Sequence, residues 1–310
     1  GNLTNGFIKV AGHLNNDKGG IYANAGIDLD VSNGLVNKGT LQLGDLNVKG
    51  DQFINNGGKL TADALSIDTK TASNQAGKIA VQKDFSLNST GFNNQAGEVA
   101  VNGDLSMVTG QLNNQAGSIE AAGKQTVRVQ DLDNSKGRMI ANKALDVQAQ
   151  GKILNQEGVL GSAQETIKIV AAGVLDNTSG QISAANNVSV SVGSLENAKG
   201  TVASSKSLTI QSTQDINNHA GSMTADEYTN ITAKNLDNTS GQIGAVQGNV
   251  NVHLTGKLSN GQDATVVDAN NKVVKGTIAA AAGTATIEAH DIDNDDGVIY
   301  ADNSQIKAQD

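Results

Sequence analysis

About every twenty residues, this chain repeats itself. The segment Leu112-Asn113-Asn114-Gln115-Ala116-Gly117-Ser118-Ile119 recurs with drift, anchored on Asn16, Asn37, Asn55, Asn74, Asn94, Asn114, Asn134, Asn155, Asn177, Asn197, Asn218, Asn238, Asn260 and Asn294. The first thirteen anchors are 18 to 22 residues apart, and the last lies 34 beyond its neighbour. Twelve copies read Asn-x-x-Gly; the copy at Asn37 is one residue short, and that at Asn260 is interrupted and resumes at Gly276. A fixed period of this size is the signature of a solenoid, in which no single repeat can bury its own apolar face.

Two columns show where that face lies. The residue two before each anchor is apolar, from Leu14 and Leu35 to Leu258 and Ile292. So is the residue two after each turn glycine, as in Ile21, Ile79, Ile119, Ile182 and Ile243. The next inward position is small, as at Ala121, Ala141, Ala184, Ala225 and Ala245, and an alternating run such as Val188-Ser189-Val190-Ser191-Val192 follows. Period-2 alternation in short runs means strands with one buried face. No stretch carries helical spacing. We therefore expect an all-β chain: a right-handed parallel β-helix (β-solenoid) of about 14 coils at ~20 residues per coil, on the order of 65 Å long. It would be a single domain over residues 1–310 and a fragment of a longer, monomeric rod, since no polar cap is evident at either end of the sequence.

Within a copy such as Leu132-Asp133-Asn134, alternation turns Leu and Asn inward and Asp outward. Stacked coils then bring the inward asparagines into register as an amide ladder of Asn16, Asn55, Asn74, Asn94, Asn114, Asn134, Asn155, Asn177, Asn197, Asn218, Asn238 and Asn294. The glycine three residues on is expected to supply a positive φ at a sharp corner. The chain has 36 glycines and no proline, and a proline inside a coil would delete a ladder donor. Leucine-rich repeats have a different Leu-x-x-Leu-x-Leu-x-x-Asn order. A left-handed β-helix needs a six-residue period, and calcium-binding nonapeptide repeats need Gly-Gly-x-Gly-x-Asp; the sequence has neither.

Composition narrows the function. Hydrophobic residues make up 37% of the chain but aromatics only 2%, with no tryptophan, so the core must be thin enough for aliphatic side chains to fill. A net charge of −9 with few aromatics offers nucleic acid neither a basic footprint nor stacking platforms. No run reaches eighteen apolar residues, so no membrane insertion is expected, and Gly1-Asn2-Leu3-Thr4 does not read as a signal peptide. Without cysteine there is no disulfide and no thiolate metal site.

The copies at Leu132-Asp133-Asn134-Ser135-Lys136-Gly137-Arg138-Met139-Ile140-Ala141, Leu175–Ala184 and Leu236–Ala245 resemble the filamentous haemagglutinin repeat. The resemblance covers nearly the whole chain. It implies a large exoprotein of two-partner secretion, of the adhesin or contact-dependent growth inhibition kind, secreted to the surface of a Gram-negative bacterium. An outer-membrane transporter would be its partner during secretion, and a host or neighbouring-cell receptor a further partner. The family's secretion domain carries an Asn-Pro motif that this proline-free sequence lacks, so the resemblance implies the shaft.

Candidate chemistry is sparse. His13, His219, His253 and His290 are isolated and lack metal-ligand spacing. Outward carboxylates precede several anchors, and Asp176 and Glu196 would sit about 5 Å apart on successive coils, which reads as a solvated face. The cluster from Asp291 to Asp296 fits no calcium-loop pattern. Arginine occurs only at Arg128 and Arg138, a poor basis for a β-helix carbohydrate enzyme, so neither catalysis nor a cofactor is expected. One feature breaks the rhythm. Residues 261–275 stand where neighbouring copies have two residues, and Thr265-Val266-Val267 and Lys272-Val273-Val274 flank Asp268-Ala269-Asn270-Asn271 as a hairpin would. Insertions on solenoids often carry binding. Gln262, Asp263, Asp268, Asn270, Asn271, Lys272 and Lys275 are the candidate contacts of a cell- or glycan-binding module.

Overall fold

The computed structural model describes residues 6–22 and 27–308, and every regular element among them is a strand. It divides into two units, Gly1–Gln150 and Gly151–Asp310. Each is a β-solenoid of parallel, in-register coils.

One coil of the first unit shows the construction. The nine-residue strand Leu105–Asn113 leads into the turn at Asn114, the strand Ser118–Ala121 follows, and after a second turn Gln125–Asp133 begins the next coil. Leu105 then pairs with Gln125, Met107 with Val127 and Leu112 with Leu132, while Ile119 pairs with Met139. Equal coil length gives this registry, because each residue meets its counterpart one period on. Alternation does the rest: inward residues form continuous apolar columns, and outward residues face solvent.

In the first unit one column runs Leu41, Leu60, Ile79, Val99, Ile119, Met139, each at most 1% exposed. In the second it runs Leu160, Ile182, Val202, Met223, Ile243, Ile278, all fully buried. Burying each such side chain contributes about 1.5–3 kcal/mol. The aromatics at Phe53, Phe85 and Phe92 are buried, and two of them are spaced by volume. Ala72 lies in register between Phe53 and Phe92, a small residue separating two large ones. Two positions of the matching columns depart from the apolar rule in different ways: Thr229, between Leu208 and Val250, is fully buried and donates to Gly244 O, whereas Gln125, between Leu105 and Leu145, is fully buried and neither end of its amide has a hydrogen-bond partner.

The turn corrects the role expected for glycine. Positive φ falls on the residue before it: Ala76, Ala96, Ala116, Lys136, Glu157, Ser179, Lys199, Ala220, Ser240 and Asp296 lie between +52° and +59°. Of the Asn-x-x-Gly turns only that at Asn55 has glycine there, Gly57 at +67°. The closing glycine instead donates its N–H to the anchor carbonyl, as from Gly117 to Asn114 at 3.0 Å, in the pattern of a type II turn. Its own demand is for space. A Cβ on Gly117 would overlap the carbonyl oxygen of Asn94 in the preceding coil and lie 2.7 Å from Asn114 Oδ1. Gly77, Gly97, Gly137, Gly180, Gly200, Gly221 and Gly241 meet the same obstruction. Glycine here lets one coil's backbone touch the next.

Candidate functional site

The inward asparagines form the longest polar feature of each unit. In the first, each Nδ2 donates to the next Oδ1 along Asn16, Asn37, Asn55, Asn74, Asn94, Asn114 and Asn134 at 2.7–2.8 Å. In the second, the series runs Asn155, Asn177, Asn197, Asn218, Asn238, Asn260 and Asn294 at 2.6–2.7 Å. Each amide is also tied to backbone. Asn94 Nδ2 lies 3.2 Å from both Gly97 O and Ser118 O. Asn37 and Asn260, which irregular spacing kept out of the expected ladder, are fully buried members of it. With every amide spoken for and all but the part-buried Asn294 buried, the ladder is a structural spine.

The insertion forms a two-stranded antiparallel sheet apart from the coils. Its strands are Gln262–Val267 and Val273–Lys275, pairing Gln262 with Lys275 and Val267 with Val273 around a register shift. The tip is a turn held by Asp268, whose Oδ1 accepts the N–H groups of Asn270 and Lys272 at 2.9 Å each, with Asn271 at φ +60°. Asp268, Asn270, Asn271, Lys272 and Lys275 are exposed. Gln262, also exposed, and Asp263, half-buried, reach the coils. Gln262 Nε2 donates to Asp296 Oδ2 at 2.9 Å, and Asp263 Oδ2 lies 3.1 Å from His219 Nε2. The Thr265 N–H and hydroxyl, followed by His219, hold the Asp263 carboxyl below the usual aspartate range.

Elsewhere, charged groups meet partners of their own. Asp176 and Glu196 are in register on neighbouring strands, but Asp176 accepts from Gln156 Nε2 at 2.7 Å and from the Thr178 N–H, while Glu196 accepts from Asn217 Nδ2 at 2.9 Å. His253 lies outward, 3.1 Å from Glu288, and His290 is 3.1 Å from Asp291. Asp293 is held below the usual range by Lys257 and then by the Asp295 N–H. A shallow groove of about 560 Å³ crosses the turns of the first unit, floored by Ala96, Gly97, Ala116 and Gly117. The charges on its walls neutralise one another, Lys78 with Glu98 at 2.8 Å and Arg138 with Glu120 at 2.9 Å. Among the described residues no group of three or more His, Cys, Asp or Glu side chains could hold a metal ion, and no helix is long and apolar enough to cross a membrane.

Comparison with known families matches the haemagglutinin repeat at residues 2–65, 62–128, 96–179, 166–240, 215–262 and 245–310, which tile the sequence from 2 to 310. The chain belongs to the haemagglutinin repeat family. Neither the curated proteins nor the solved structures gave a match. A solenoid of haemagglutinin repeats fits a filamentous, adhesin-like shaft. In it, Asn-x-x-Gly is a stacking device: the asparagine binds the next coil and the glycine permits the approach.

Proposed function

We propose that this chain is shaft material of a secreted exoprotein displayed on a Gram-negative cell, extending it to support adhesion or contact-dependent toxin delivery, and that it forms a single β-helical domain of a longer rod. The observation that carries the reading is uniform use of the polar groups. Inward amides are committed to the spine, several outward charges are paired with one another on neighbouring coils, and the same turn is built again and again. Such a surface has the economy of a spacer, with no convergent set of acids, bases or nucleophiles among the described residues to assign to catalysis. Passage through an outer-membrane transporter before folding belongs to the same reading, and the absence of cysteine suits it.

A second reading is favoured by the hairpin tip. Its exposed residues Asp268 to Lys272 are held in one turn conformation by side chain-to-backbone bonds, as a preformed contact surface would be. One experiment separates the two. The purified, labelled 310-residue chain is titrated onto epithelial cells and onto related bacteria, with a variant lacking residues 262–275 alongside. No saturable binding to either is expected of a spacer. Saturable binding lost with the hairpin would replace the spacer reading with the adhesin module.

A further inference from the structure

Two coils of the second unit carry the same eight residues, Leu175-Asp176-Asn177-Thr178-Ser179-Gly180-Gln181-Ile182 and Leu236-Asp237-Asn238-Thr239-Ser240-Gly241-Gln242-Ile243. Both turns have the same geometry, with serine at φ +54° in each and ladder bonds of 2.7 Å. Yet Ser179 is exposed and Ser240 is only 2% exposed. Sequence cannot account for that difference, because there is none locally. The hairpin accounts for it. Ser240 Oγ donates to Val274 O at 2.8 Å and accepts the Asp263 N–H at 2.8 Å, while the Ser240 N–H donates to Gly261 O at 3.1 Å.

The grip extends to both sides. One coil earlier, His219 in the turn after Asn218 meets Asp263 at 3.1 Å. One coil later than the insertion, Asp296 in the turn after Asn294 accepts from Gln262 at 2.9 Å. The hairpin itself leaves the chain just after Asn260 and rejoins it where the Gly276 N–H donates to Gly261 O at 2.7 Å. Its base therefore touches the turns of four successive anchors, Asn218, Asn238, Asn260 and Asn294. Ordinary coils of a solenoid meet only their nearest neighbours, so separation at any one interface leaves the others intact.

We propose that the insertion is a staple: a strap across the turn edge that couples four coils, so that opening between any two of them must also break bonds at the hairpin base. It sits where a strap is needed, since the insertion interrupts the direct run from Asn260 into the strand Thr277–Ala289. This role goes beyond the spacer reading and is independent of whether the tip binds a cell.

Hydrogen–deuterium exchange on the full 310-residue chain tests it, comparing the parent with Ser240→Ala, Asp263→Ala, removal of 262–275, and Ser179→Ala as the internal control. The first three should speed exchange of the strands Ser222–Ala225 and Gln242–Ala245 roughly tenfold, the loss expected for one or two hydrogen bonds. Ser179→Ala should leave Gln181–Ala184 unchanged. Asp263→Ala alters no coil residue, so the test remains readable if Ser240→Ala fails to fold. Exchange within twofold of the parent when 262–275 is removed would overturn the proposal, as would an equal acceleration in Ser179→Ala at its own coil.

Discussion

Exchanging two adjacent residues in one turn tests how these coils are held together. In the double variant Ala116→Gly/Gly117→Ala the turn keeps one glycine and moves it by one position. If glycine were there for its dihedral freedom, the exchange would help, because Ala116 sits at φ +52° and a non-glycine residue in that region costs about 1 kcal/mol or more. The close approach predicts the reverse. A methyl at position 117 would overlap Asn94 O, lie 2.7 Å from Asn114 Oδ1 and lie 3.0 Å from Asn94 Nδ2. Coils 94 and 114 must part by on the order of 1 Å, which takes the 2.7 Å bond from Asn94 Nδ2 to Asn114 Oδ1 beyond useful length. Overpacking costs about 1–3 kcal/mol and a buried amide losing its partner about 1–3 kcal/mol more. Relief of about 1 kcal/mol at position 116 leaves a net loss of roughly 3 kcal/mol. Urea unfolding of the whole chain gives the sign. Because repeat stacks need not unfold in one step, exchange of the strand Ser118–Ala121 gives the location. Ala116→Gly alone should be stabilising by about 0.5–1 kcal/mol. A double variant as stable as the parent would refute the close-approach argument.

Other predictions follow the same physics. Gln125→Leu restores the column of Leu105 and Leu145 and removes an unpartnered buried amide; the urea midpoint should rise, by about 1–3 kcal/mol in stability, and an unchanged or lower midpoint would count against the placement. Asn177→Ala removes the 2.7 Å bonds to Asn155 and Asn197 and should destabilise by roughly 2–4 kcal/mol, with new protease cleavage confined to neighbouring coils; unaltered digestion would argue against the spine. Asp263 has a folded pKa below its ordinary 3.8, so its anchoring is complete above that value and is lost as pH falls through the depressed one. The amide resonance of Thr265 should therefore titrate below 3.8, and a midpoint at or above it would contradict the assigned bonds.

Coil length, inward columns and the anchor asparagines were legible because period and alternation are one-dimensional signals. What escaped the sequence depends on distance between coils. A turn glycine looks alike whether it serves its own φ or its neighbour's carbonyl, and only the backbone separation at Gly77 or Gly117 decides. Asn37 and Asn260 broke the spacing rule, yet the ladder needs only that the amide arrive in register, and a short turn or an insertion beyond it does not prevent that. Gln125 carries no apolar mark that alternation could register, although its partners at 105 and 145 make it a core position. The burial of Ser240 was beyond local reading altogether, since Ser179 shares its sequence and not its neighbour.

The alternation of Phe53, Ala72 and Phe92 bears on how such chains gain and lose length over generations. Near-identical repeats invite unequal recombination, and a twenty-residue excision would often leave the pattern in phase. The outcome depends on where it falls. Removing the copy that carries Ala72 would seat Phe53 directly on Phe92 and crowd a column already filled, at a cost of about 1–3 kcal/mol. Removing the copy that carries Leu112 would seat Phe92 on Leu132, a pairing of the kind the column already holds in Leu35 on Phe53. The repeats are thus not interchangeable beads: each carries a steric address, and heritable losses of a copy should spare the small-residue coil that separates the two phenylalanines and fall where aliphatic neighbours lie on both sides.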